Sequence, residues 1–135
     1  MNMDMKKLMV QDLMQTDIKL VSKNTTILAA AKMMHDLSVS SLIVKPYDDR
    51  DAFGIITRKD IIEALVTDTI GGIEDLVEDI MSKPAITVNI GLSIYSCQQL
   101  MRMVGVRRLP VLKGSDLVGI LSNSDIFAKL VQGIS

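Results

Sequence analysis

The chain has 135 residues, and 15 Lys+Arg against 16 Asp+Glu give it a formal charge of −1. That balance lacks the basic excess of a phosphate-backbone binder, and two Tyr, two Phe and no Trp are too few for a base-stacking platform. One Cys excludes an internal disulfide, and one Cys with one His cannot supply a four-ligand zinc site. With 48% hydrophobic and 23% charged residues, the chain reads as globular with an aliphatic core.

Met1 to Lys7 holds Asp4, Lys6 and Lys7 with no apolar stretch behind them, which does not fit a signal peptide. The longest uncharged run, Pro84–Met101, contains Asn89, Gly91, Ser93, Ser96, Gln98 and Gln99, which suit no lipid-facing helix. A cytoplasmic protein without a membrane span is therefore expected. Residues 18–21, apolar with β-branched members, predict a strand. Asn24-Thr25-Thr26 then offers capping side chains, and Ile27, Ala30, Ala31 and Met34 lie on one face of a helix. Strands at 39–44 and 52–56, separated by Asp48-Asp49, predict an antiparallel hairpin, and a helix follows at 59–67.

The order then starts again. A strand is predicted at 85–88, and Ser93 is placed to cap a helix whose apolar face is Ile94, Cys97, Met101 and Val104. Gly105 suits its C-terminal cap. Strands at 106–112 and 117–121 flank Lys113-Gly114-Ser115, and the last helix is expected at 124–132. The strand–helix–strand crossover predicts parallel pairing with right-handed connection.

This recurrence is an internal repeat. Val10-Gln-Asp-Leu-Met14 returns as Val77-Glu-Asp-Ile-Met81 at an offset of 67, which holds without a gap to Val44 and Val111. Beyond a two-residue insertion the offset is 65, matching Gly54 with Gly119 and Asp60 with Asp125. The expected fold class is α+β, with two β-α-β-β-α repeats at 8–68 and 75–133 joined near Thr67 to Gly72. Each half would leave an apolar sheet face in water, so the two are expected to pack sheet to sheet with pseudo-twofold symmetry.

Two stretches carry chemistry: Gly54-Ile-Ile-Thr57-Arg-Lys-Asp60 and Gly119-Ile-Leu-Ser122-Asn-Ser-Asp125. Each sits where a strand ends and a helix begins. One reading is purely structural: a hydroxyl residue followed three positions later by an acid is a capping box with Asp in place of Glu. The other uses the same geometry for a ligand. Free N–H groups at a helix start attract an anion, a hydroxyl can donate to phosphate, and a carboxylate can accept from two ribose hydroxyls. His35 stands alone on a predicted helix, where a surface position is expected, and Cys97 on the apolar stripe reads as a buried structural thiol. A Ser-His-Asp triad would depend on His35, and no Gly-x-Ser-x-Gly elbow or phosphate-binding Gly-x-x-x-x-Gly-Lys-[Ser/Thr] loop is present.

The ordered set of motifs resembles the cystathionine β-synthase (CBS) domain, and the tandem resembles a Bateman module. The resemblance rests on the two Val-x-Asp-h-Met openings, on Arg107-Arg108-Leu-Pro-Val111, and on the paired Gly-h-h-[Ser/Thr]-x-x-Asp motifs, from about residue 8 to 132. It implies ligand sensing without catalysis, with an adenine nucleotide (AMP, ADP or ATP) as regulatory ligand in clefts between the repeats and no required cofactor or metal. Carried over position by position, Asp60 and Asp125 would bond ribose, and Thr57 and Ser122 phosphate. Arg107 and Arg108 would face phosphate, with Ser40 and Ser41 in the matching place of the first copy, and Lys19 and Ile86, each in the first strand of the opposite repeat, would flank adenine.

The copies differ. The second has Arg107-Arg108 where the first has serines; the first has Arg58-Lys59 after its hydroxyl where the second has Asn123-Ser124; and Ile43 replaces Pro110. Guanidinium forks match phosphate oxygens, so the Asp125 motif is expected to hold the better phosphate clamp. The chain is expected to act as a stand-alone regulatory, energy-sensing module that signals to an unidentified partner protein and forms a homodimer through its helices. The alternatives are a scaffold or dimerisation module with vestigial clefts, and an S-adenosylmethionine-type ligand. No nucleic-acid or membrane partner is expected, and an enzyme is disfavoured because nothing assembles a base, a nucleophile and an oxyanion site.

Overall fold

The computed structural model describes residues 5–67 and 72–134, so part of the expected junction, residues 68–71, lies outside the described residues. The chain forms α1 (Val10–Leu13), β1 (Leu20–Val21), α2 (Ile27–Leu37), β2 (Ser41–Val44), β3 (Gly54–Thr57) and α3 (Arg58–Val66). After these come β4 (Val88–Asn89), α4 (Ile94–Val104), β5 (Arg108–Lys113), β6 (Asp116–Ser122) and α5 (Asn123–Ile134). The expected α+β class with a β-α-β-β-α unit occurring twice is what the chain adopts. Each unit holds a three-stranded mixed sheet, ordered β1-β2-β3 and β4-β5-β6. The crossover strands pair in parallel and the hairpin strands antiparallel, with Ser41 opposite Thr57 and Arg108 opposite Ser122.

The helix signals act as read. Thr26 and Ser93 accept from the N–H groups of Ala29 and Ser96, each at 3.1 Å. Both helices end on a left-handed residue, Ser38 at φ 55° and Gly105 at φ 75°. Gly takes this conformation freely, whereas Ser pays a Cβ clash. Ile27, Ala30 and Met34 are buried on one helix and Ile94, Cys97 and Met101 on the other. Val104, expected on that buried face, is instead 45% exposed: the buried stripe ends at Met101, and Val104 is the last residue of the helix before the Gly105 cap. The β1 and β4 strands are shorter than expected, two residues each.

The compact units and the sequence repeats are offset. One unit is Lys19–Ala85; the other joins the opening segment, up to Ile18, to Ile86 onward. The Val-x-Asp-h-Met segment of the first copy thus packs with the second copy's elements, and its counterpart packs with the first copy's. Val10 donates its N–H to the Leu92 carbonyl, and Val77 to the Thr25 carbonyl, each at 2.8 Å. Both valines are fully buried, each in a different apolar cluster. Complete burial of such a side chain is worth about 1.5–3 kcal/mol. Asp12 and Asp79 each accept the backbone N–H three residues back, from Met9 at 2.8 Å and Leu76 at 2.9 Å, and so close a short helical turn. Met14 and Met81 end the segment against Gly119 and Gly54. Sequence reading took this segment only as a marker of the repeat; the structure gives a role to each of its fixed residues.

Among the described residues no helix is long and apolar enough to cross a membrane.

Candidate functional site

In each unit the residues singled out from the sequence gather at one end of the sheet. In Lys19–Ala85, β2 begins at Ser41, β3 ends at Thr57 opposite it, and Lys19 precedes β1 on the same edge, its carbonyl accepting from Ile43 at 3.0 Å. Ser40 accepts the Arg58 N–H at 2.9 Å, which ties the start of α3 to the strand beside it. In the other unit β5 begins at Arg108, β6 ends at Ser122 opposite it, and Ile86 lies two residues before β4. Arg107 accepts the Asn123 N–H at 2.9 Å, the counterpart of the Ser40 bond. Arg107 is exposed and Arg108 half-buried, so a cationic pair flanks the second motif where serines flank the first.

The strand-to-helix junctions are built alike. Thr57 donates its N–H to Asp60 Oδ2 at 2.8 Å, and Asp60 returns its N–H to Thr57 Oγ1 at 3.1 Å. Ser122 donates to Asp125 Oδ2 from its N–H at 2.8 Å, and Asp125 returns its N–H to Ser122 Oγ at 3.3 Å. Both are capping boxes, so each motif hydroxyl and Asp caps its helix as the structural reading expects. Each Asp is half-buried and held in the first turn of a helix.

The glycines that open the motifs follow from close packing. A Cβ on Gly119 would lie 2.8 Å from the Gln15 carbonyl oxygen and 2.7 Å from Met14 Sδ. On Gly54 it would lie 2.9 Å from Met81 Sδ and 3.3 Å from the Ser82 carbonyl oxygen. The opening segments cross here as extended chain: Gln15 and Ile120 exchange two N–H···O bonds of 2.9 Å, and Ile55 and Ser82 do the same at 3.0 and 2.9 Å.

The second motif carries two further bonds. Ser122 Oγ donates to Asp125 Oδ2 at 3.0 Å, and Gln15 Nε2 donates to Asp125 Oδ1 at 3.0 Å. Sequence reasoning missed Gln15, whose partner lies 110 residues away. Ser82, from the opening segment of the second copy, stands at the matching place beside the first motif, and among the described residues its side chain makes no bond to Asp60.

Other candidates are structural. His35 is exposed. Cys97 is fully buried, and burial pushes its thiol up to about 11. Lys59 forms an exposed pair with Glu63 at 3.8 Å. Among the described residues no cluster of three His, Cys, Asp or Glu side chains is arranged to hold a metal ion.

Comparison with known proteins agrees with this architecture. The sequence model of the CBS domain matches residues 10–67 and 77–132. An uncharacterized protein of Methanopyrus kandleri is 29% identical over 90% of this chain, which spans only 62% of that relative's length. The hexameric CBS-CP12 protein from bloom-forming cyanobacteria is 32% identical with a TM-score of 0.85, over 90% of this chain and 67% of that one. The CBS domain pair of protein MJ0100, solved in complex with 5′-methylthioadenosine and S-adenosyl-L-methionine, is 25% identical with a TM-score of 0.79, over 94% and 98% of the two chains. With its strand-helix-strand-strand-helix unit, its capping Asp motif and its family match all occurring twice, the chain belongs to the CBS domain family as a tandem pair.

Proposed function

We propose that this CBS pair is a non-catalytic sensor that binds an adenine nucleotide at its Gly-h-h-[Ser/Thr]-x-x-Asp motifs and passes the signal to a partner protein. The observation that carries this reading is the convergence, at each sheet end, of a helix-start hydroxyl and a half-buried Asp, with Arg107 and Arg108 added beside Ser122 and Asp125. The helix start and arginines suit phosphate, and the carboxylate suits ribose. Lys19 and Ile86, at the same sheet ends, offer a stem and an apolar side chain for the base, and Thr57 with Ser40 offers the weaker phosphate contact of the first motif.

AMP or ATP is expected to raise the melting temperature, and Asp125→Ala is expected to remove most of that shift. Ligand at a hundredfold excess over its Kd stabilises by about 2.7 kcal/mol, so an unchanged melting temperature at millimolar nucleotide refutes the reading. A second reading, favoured by the adenosyl molecules bound to MJ0100, is a ligand of the S-adenosylmethionine type. It predicts a shift with S-adenosylmethionine or 5′-methylthioadenosine that exceeds the shift with AMP. A scaffold with unused motifs predicts no shift with any of them. Homodimer formation and control of a separate protein belong to the same proposal, and the hexameric assembly of the CBS-CP12 relative supports an oligomer.

A further inference from the structure

We infer that the Ser122 hydroxyl couples phosphate to sugar at the second motif: a phosphate draws it off Asp125 and so opens the carboxylate to both hydroxyls of a ribose. The second motif then favours a phosphorylated ligand over a bare nucleoside by more than the phosphate contacts alone. This rests on the nucleotide reading above. An ionised carboxylate has about four acceptor positions. On Asp125, Oδ2 accepts from the Ser122 N–H at 2.8 Å and from the Ser122 hydroxyl at 3.0 Å, and Oδ1 accepts from Gln15 Nε2 at 3.0 Å. One position is left, enough for one hydroxyl, whereas a cis-diol needs two. Of the three resident donors, the Ser122 hydroxyl is the one to which a nucleotide offers a new acceptor, a phosphate oxygen at the helix start beside Arg107 and Arg108. Its turn leaves the cap intact, because Ser122 Oγ accepts the Asp125 N–H at 3.3 Å whichever way its own proton points. Gln15 stays, its N–H and carbonyl paired with Ile120 at 2.9 Å. Each carboxylate oxygen then has one open position, which matches the two hydroxyls of the diol. A nucleoside without phosphate gains the second position only by breaking a resident bond that it does not replace.

The first motif lacks this coupling. Asp60 accepts the Thr57 N–H on Oδ2, and among the described residues Oδ1 has no bonded partner. Thr57 Oγ1 accepts the Asp60 N–H at 3.1 Å, and among the described residues it makes no bond to the carboxylate. About three acceptor positions are therefore open, and a diol fits with or without a phosphate. The neighbouring residues differ in the same sense: arginines stand beside the motif in which phosphate opens the sugar site, and serines beside the motif in which it does not.

The test is calorimetric titration with AMP and with 5′-deoxyadenosine, which keeps the diol but has neither phosphate nor 5′ oxygen. Asp60→Ala isolates the second motif, and Ser122→Ala on that background removes the hydroxyl from both of its roles. A net hydrogen bond of the usual size predicts opposite shifts: AMP about three- to tenfold weaker, 5′-deoxyadenosine stronger by the same factor. The gain should vanish for 2′,5′-dideoxyadenosine, whose single hydroxyl already has its position. A hydroxyl that only caps the helix would shift all three ligands the same way. Glycine is itself a good N-cap, so Ser122→Gly should repeat the opposite shifts with little loss of stability. Ser122→Gly in the otherwise unchanged chain should move one of two affinities in the same directions, which guards against a folding defect in Asp60→Ala. If 5′-deoxyadenosine binds no more tightly to either Ser122 variant, or registers with none of the chains, the coupling is overturned and the nucleotide reading stands. Absence of AMP binding in the unmodified chain overturns both.

Discussion

Gly119→Ala tests the packing that sets the second motif in place. The added Cβ would sit 2.7 Å from Met14 Sδ, 3.1 Å from Met14 Cγ and 2.8 Å from the Gln15 carbonyl oxygen, where ordinary contact begins near 3.4 Å. The thioether can rotate aside. The carbonyl cannot, because it accepts the Ile120 N–H at 2.9 Å and is part of the backbone pair that anchors Gln15. Overpacking of this kind costs about 1–3 kcal/mol, and the lower chain entropy of Ala returns about 0.4–1 kcal/mol. A net loss of about 1–2 kcal/mol follows. The unfolding entropy of 135 residues is about 0.28 kcal/mol per kelvin, so the melting temperature should fall by about 4–7 °C. Gly54→Ala is the internal control. Its closest approach is the mobile Met81 Sδ at 2.9 Å, and the Ser82 carbonyl oxygen and Val44 Cβ both stand at 3.3 Å. Its melting temperature should stay within about 2 °C of the parent chain. Both are read by thermal unfolding at pH 7. Adding Met14→Ala to Gly119→Ala should relieve only part of the loss, since the carbonyl clash persists. Equal losses for the two glycines, or a Gly119→Ala chain as stable as the parent, would refute the reasoning.

Three other outcomes are expected. Ser38→Gly should raise stability by about 1 kcal/mol in urea unfolding, because Ser38 holds the left-handed cap at φ 55° that Gly105 fills in the other copy. Thr57→Ala, which removes the acceptor for the Asp60 N–H, should cost about 1 kcal/mol in the same measurement even without ligand. The Cys97 thiol, raised by burial from 9.0 to about 11, stays protonated in the fold while the unfolded chain ionises earlier. The folded state then binds more protons, so stability should decline as pH rises from about 9 to about 11. Cys97→Ala should flatten that slope in denaturation midpoints, and an aromatic disulfide reagent at pH 8 should label Cys97 only on unfolding.

The reach of the sequence follows from the range of the interactions involved. Strand alternation, helix faces and the caps at Thr26 and Ser93 depend on neighbours within a few residues, so periodicity and residue type were enough to place them. The repeat exposed the two Thr/Ser–Asp motifs by showing the same local device twice. Strand ends and the limit of the α4 stripe at Val104 were less legible, because burial there depends on which element lies above. Sequence alone thus determined the β-α-β-β-α unit, its duplication and the residues of the two motifs. Tertiary structure decided which copy each opening segment joins, why Gly119 must lack a side chain, and that Gln15 holds Asp125 across 110 residues. Those contacts join chain segments far apart in sequence, where no local period records them and only the folded backbone brings donor and acceptor within 3.0 Å.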